Sequence, residues 1–209
     1  MAPAAGVFAC PGPVSTSDVA DAPSGVDRFR AVGVVVDAVA LAGVLLHGEP
    51  LTAHASRALV ASRVEPVTAD TPWASVVARG LPLVVHDAAC PLTPAWFIAA
   101  QVDYAVVLDR VRVGVRPVTD TIKTVAAGRV GATVDRESLV EVAAPVVLPA
   151  SLVASLGGWP DLADVPALVG RLRGRALVDL VKAPVLARRV EDASAVRVLE
   201  AFAQLQPPM

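Results

Sequence analysis

Hydrophobic and polar positions follow no period over residues 1–27, which are rich in Pro, Ala, Gly, Ser and Asp. That stretch is expected to be a flexible tail ahead of a single domain over residues 28–206. Periodicity begins at Arg30, where a Val-dense run to Val39 predicts a buried strand. Glu49-Pro50 opens a helical pattern from Leu51 to about Ser62, with Pro50 suited to the first turn. Asp70-Thr71-Pro72 predicts the cap of a second short helix ending near Gly80. Leu81 to His86 reads as a short buried strand, and Thr93-Pro94 starts a helix with Phe97, Gln101, Tyr104 and Leu108 on one stripe. Val111 to Arg116 alternates at period two, with Val on one face and polar residues on the other. Thr121–Val125 and Val130–Val134 flank Ala126-Ala127-Gly128-Arg129, which predicts a β-hairpin. Helices are expected over Pro149–Leu156 and Asp164–Arg173, a strand over Arg175–Val181, and a closing helix over Glu191–Leu205 that is apolar at Val196, Leu199 and Phe202. Strands alternating with helices predict an α/β domain whose mostly parallel sheet is covered on both faces.

Composition sharpens this picture. Hydrophobic residues make up 55% of the chain but aromatics only 4%, so the excess is Ala, Val and Leu, which suits a Val-rich sheet under Ala-rich helices. A net charge of −2 gives no electrostatic reason to expect a nucleic acid. The apolar run Ala31–Leu46 is broken by Asp37 and falls short of the ~20 residues that span a bilayer, so no membrane segment is expected. Two cysteines, Cys10 and Cys90, form neither a metal cluster nor a disulfide framework, which points to a reducing compartment, and the N-terminus carries no secretory pattern; a cytoplasmic protein is expected.

Three fragments carry the candidate chemistry: Val84-Val85-His86-Asp87-Ala88-Ala89-Cys90-Pro91-Leu92-Thr93, Pro117-Val118-Thr119-Asp120-Thr121-Ile122-Lys123 and Thr133-Val134-Asp135-Arg136. Asp87 follows a buried strand at its carboxyl end, where open α/β sheets place ligand sites. In this order the fragments resemble the 2-C-methyl-D-erythritol 4-phosphate cytidylyltransferases of non-mevalonate isoprenoid synthesis. The resemblance covers about residues 31–205 and is strongest over 81–136. It implies a GT-A-like (Rossmann-like) nucleotidyltransferase fold and a homodimer joined by a protruding hairpin arm over about 119–136. It also implies attack of a sugar-alcohol phosphate on the α-phosphate of CTP, with Mg²⁺ and cationic groups stabilising the developing charge. By the same resemblance Asp87 and Lys182 are the catalytic candidates, Asp87 the Mg²⁺ ligand if the chain is active, and Thr121 and Arg136 the phosphate ligands offered to the partner's site.

The departures from the family are as informative as the matches. The family follows its first strand with a Gly-rich loop carrying Arg and Lys that holds the CTP phosphates; here Asp37 to Leu46 is mostly apolar, with one glycine, Gly43. The chain has only two lysines, Lys123 and Lys182, so none precedes position 123. The Arg that follows His-Asp-Ala-Ala in the family is Cys90, and the family's Thr-Pro-Gln after the hairpin is Ala144-Pro145-Val146. The ~30 residues between Leu51 and the Leu81 strand look too few for the family's strand, base-binding loop and helix. The expectation is a degenerate homologue, a pseudoenzyme acting as a binding or interaction subunit, able to take a small phosphorylated ligand or to pair with an intact cytidylyltransferase. The alternative is a divergent enzyme that still transfers a nucleotide to methylerythritol phosphate or another sugar phosphate, and a third reading is an α/β domain with no ligand.

Overall fold

The structure is a computed structural model that describes residues 29–205 apart from 120 and 127; the expected tail over 1–27 lies outside the described residues. In chain order the elements are β1 (Ala31–Val36), β2 (Leu45–Leu46), β3 (Glu49–Pro50), α1 (Leu51–Ala61), β4 (Val64–Val67), α2 (Trp73–Val77), β5 (Leu83–Asp87), α3 (Ala95–Leu108), β6 (Val111–Pro117), β7 (Ile122–Ala126), β8 (Arg129–Val134), β9 (Val140–Leu148), α4 (Ala150–Ser155), α5 (Val165–Arg173), β10 (Val178–Lys182) and α6 (Ala193–Gln204). Single 3-10 turns form at Val39–Leu41, Arg136–Ser138 and Val185–Ala187.

Six strands form one sheet in the order β10-β6-β9-β5-β1-β4. β4, β1 and β5 run parallel, as do β6 and β10, and β9 runs antiparallel between β5 and β6. The α/β expectation therefore holds, with one antiparallel strand at the centre. Nothing in the pattern marked β9, because a strand buried on both faces shows no alternation and Pro145 argues against a central strand.

Each face of the sheet buries its own core. Val32, Val34, Leu83, Val85, Val113 and Val146 meet α4 and α5 through Leu152, Leu168 and Leu172. Ala31, Val84 and Val147 meet α1 and α3 through Leu59, Ile98 and Val102. Where β6 bulges past β9, Gly114 lies so close that an added Cβ would sit 2.7 Å from the carbonyl oxygen of Ala144. β7 and β8 leave the sheet as a separate two-stranded arm, turning at Gly128 with φ of +73°.

Several expectations are corrected. The residues between Leu51 and Leu81 hold α1, the edge strand β4 and the short helix α2, so a strand and a helix do fit there. α2 begins at Trp73 without a side-chain cap, so Asp70 does not cap it. The stripe on α3 is only half buried: Phe97 and Gln101 face the sheet, whereas Tyr104 and Leu108 are exposed. Phe202 is likewise exposed, and α6 packs through Val196 and Leu199. Among the described residues no helix is long and apolar enough to cross a membrane.

Candidate functional site

β1 and β5 end side by side, with Val36 paired to Asp87 and the amide of Ala88 donating to the Val36 carbonyl at 2.9 Å. The chain then turns sharply at the carboxyl edge of the sheet. Asp87 makes the turn: its Oδ1 accepts from the Ala89 amide at 2.8 Å, a local bond that suits Asp at a strand end. Its Oδ2 is in an ion pair with Arg189. Arg189 is held there because the next residue, Val190, donates its amide to the Ala89 carbonyl at 2.8 Å. Both oxygens of Asp87 are thus taken by the protein, and the carboxylate is buried.

These groups line a hollow of about 480 Å³ that also takes in residues 36–41, Ala163, Asp164, Val165, Pro166 and Glu191. The turn after β1 forms one wall. Its amides at Leu41, Ala42 and Val44 donate to the carbonyls of Ala38, Val39 and Leu41, so they are not free for an anion. The Leu41 side chain packs into a core with Leu46, Leu51, Ala88, Val190 and Leu199. The first turn of α5 faces the same hollow but is already capped, since Asp164 accepts from the Ala167 amide at 2.9 Å and Pro166 has no amide hydrogen. Among the described residues the lining holds four carboxylates, Asp37, Asp87, Asp164 and Glu191, against one guanidinium, Arg189.

Burial fixes the character of the neighbouring groups. His86 is fully buried, with neither ring nitrogen hydrogen-bonded among the described residues, and burial lowers its pKa to about 4, so the ring is neutral. Cys90 packs among Phe97, Ala143, Ala144 and Ala187. Burial, reinforced by the Asp87 charge, pushes its pKa up to about 12, so it is an inert thiol. Each Asp87 oxygen already has a protein partner, and no group of three His, Cys, Asp or Glu residues among the described residues is placed to hold a metal ion.

The remaining site candidates lie elsewhere. Lys182 ends β10 and lines a second hollow with Trp96, Arg116 and Thr119, one that Asp87 does not line. Thr121 and Arg136 flank the open end of the arm, just before β7 and just after β8; both are exposed, and Arg136 Nη1 donates to the Thr119 carbonyl at 2.8 Å. The residue that pattern reading passed over is Arg189. Its signal was the Arg188-Arg189-Val190-Glu191-Asp192 run before α6, where Asp192 caps the helix by accepting from the Ala195 amide at 2.7 Å.

Residues 74–156 match the model of the family described as IspD, 2-C-methyl-D-erythritol 4-phosphate cytidylyltransferase. No curated protein matches the chain. A solved 4-diphosphocytidyl-2C-methyl-D-erythritol synthase is similar with a TM-score of 0.61 and 18% identity, over 84% of this chain and 99% of the other. A 2-C-methyl-D-erythritol 4-phosphate cytidylyltransferase from Thermus thermophilus gives 0.60 and 21%, over 85% and 100% of the two chains. The 4-diphosphocytidyl-2C-methyl-D-erythritol synthase of Anaerococcus prevotii gives 0.56 and 12%, over 85% and 99%. The sheet, its flanking helices and the projecting hairpin are thus the nucleotidyltransferase fold of these proteins.

Proposed function

We propose that this chain is a member of the 2-C-methyl-D-erythritol 4-phosphate cytidylyltransferase family that keeps the scaffold and arm of a cytidylyltransferase without its nucleotide chemistry, and acts in the cytoplasm as a binding or interaction subunit. The observation that carries the reading is the state of Arg189. It is the one fixed cation among the described residues lining the Asp87 hollow, and it is already bound to Asp87. A nucleoside triphosphate brings several negative charges and needs cations or free amides to meet them. Here it would meet carboxylates, an apolar turn and a capped helix end. Loss of a single charge-stabilising donor costs a typical enzyme about 10²–10³ in rate, and this hollow lacks several.

The arm supports the second half of the proposal. Val125 and Val130 are 69% and 68% exposed on a strand pair that stands apart from the sheet. An isolated two-stranded hairpin is marginal in water and gains stability when another surface covers it. A second copy of this chain, or an intact cytidylyltransferase, would supply that surface, and Thr121 and Arg136 would then offer a hydroxyl and a guanidinium to a phosphate on the partner.

The test is calorimetric titration of the full chain with CTP and Mg²⁺. No binding is expected up to about millimolar nucleotide. A dissociation constant in the micromolar range that Trp96→Ala leaves unchanged would restore the reading as an active nucleotidyltransferase.

A further inference from the structure

The hollow beside Trp96 has the opposite electrical character to the one beside Asp87. Its volume is about 530 Å³, and Trp96, Arg116, Pro117, Thr119, Lys182, Pro184 and their neighbours line it. Among the described residues its walls carry two cations and no carboxylate, in a chain with a net charge of −2. No described residue pairs with Lys182. Arg116 is fixed in place, because its Nη1 donates to the carbonyls of Ala183 at 3.3 Å and Pro184 at 2.9 Å, which leaves its other nitrogens free to donate. Trp96 is 53% exposed, yet it is steadied edge-on by the buried Phe97 with ring centroids 5.8 Å apart. A half-exposed indole braced from behind, flanked by two prolines and two cations, offers a flat apolar platform next to an anion-binding corner.

We infer that this hollow binds a small ligand that joins a flat aromatic body to an anionic group, with the body on Trp96 and the anion between Lys182 and Arg116. Thr119, which also lines the hollow, carries a hydroxyl that can donate. Neither Asp87 nor Arg189 takes part, so the inference does not depend on whether the Asp87 hollow binds a nucleotide.

The experiment titrates the full chain with phenyl phosphate, with inorganic phosphate and benzyl alcohol as separate arms. Phenyl phosphate is expected to bind at least about tenfold tighter than either, since each lacks one of the two contacts. Lys182→Met should weaken phenyl phosphate about tenfold, while Lys182→Arg restores most of the affinity. Trp96→Ala should weaken it similarly, and Trp96→Phe should retain it. If phenyl phosphate binds no tighter than inorganic phosphate, or if Lys182→Met binds like the wild type, the inference is wrong. The comparison of the three probes on the wild-type chain needs no variant to fold.

Discussion

Replacing Arg189 with Met probes the contact on which the reading of the Asp87 hollow rests. The Asp87 side chain is 5% exposed and that of Arg189 28%. Removing one partner of a fully buried ion pair costs about 3–5 kcal/mol because a charge is stranded, whereas a surface pair is worth about 0–1 kcal/mol. This pair lies between those limits. Asp87 keeps its bond from the Ala89 amide, and the guanidinium side opens on a hollow that water can enter. The expected loss is therefore about 2 kcal/mol, or about 4–8 °C in Tm for a domain of this size. Urea denaturation of Arg189→Met, Asp87→Asn and the double variant closes a cycle whose coupling energy should be about 1–2 kcal/mol. Added Mg²⁺ should not raise the Tm of the wild type, because Arg189 already neutralises Asp87 and no group of three ligands gathers around it among the described residues. A coupling energy below about 0.3 kcal/mol would show that the pair is not made in solution and that Asp87 is available to a metal or a ligand.

Other perturbations reach separate parts of the argument. Deleting residues 124–131 removes most of the strand pair of the arm and should convert a dimer to a monomer by light scattering; a dimer that survives places the interface elsewhere. His86, with a pKa lowered by burial to about 4 against about 6.5 in the unfolded chain, is held neutral by the fold. Its contribution is complete above pH ~6.5 and is lost as the pH falls towards 4, a difference of about 3 kcal/mol. His86→Leu should therefore flatten the fall in stability over that window, and an acid limb as steep as that of the wild type would contradict the assignment. At Gly33 an added Cβ would meet Val64 Cγ1 at 2.5 Å, so Gly33→Ala should lose about 1–3 kcal/mol in the same assay, and no loss would mean that β1 and β4 are less tightly packed than described.

Much of the scaffold was legible from period and punctuation. The Val-dense first strand, the alternation of Val111 to Arg116 and the Gly-centred hairpin each follow from a rule that acts over a few residues. What escaped depended on distant partners. β9 has both faces buried by other segments, so its sequence lacks the alternation that marks a half-exposed strand. Tyr104 fits the period of α3 but stands outside the core with Arg112 over its ring, 5.2 Å from the centroid. Arg189 meets Asp87 across 102 positions, a distance over which no local pattern reports.

The same geometry gives the His86-Asp87-Ala88-Ala89 segment a structural role of its own. Every residue of His86-Asp87-Ala88-Ala89 has a place in this fold without a ligand. His86 is wholly buried near the end of β5, and Ala88 and Ala89 are buried in the cluster that ties α1 to α6. A larger side chain at either alanine would overfill that cluster, at a cost of about 1–3 kcal/mol. Asp87 closes the turn through Ala89 and anchors the segment that leads into α6 through Arg189. Asp87 and the two alanines thus join β5 to the closing helix, whatever the hollow above them holds. By contrast, the stretch from Asp37 to Leu46 packs into that cluster through Ala38, Leu41, Val44 and Leu46, so its exposed positions can change without unsettling the core. A resemblance concentrated at a strand end therefore reports the scaffold first, and chemistry only where the cations and free amides around it are present as well.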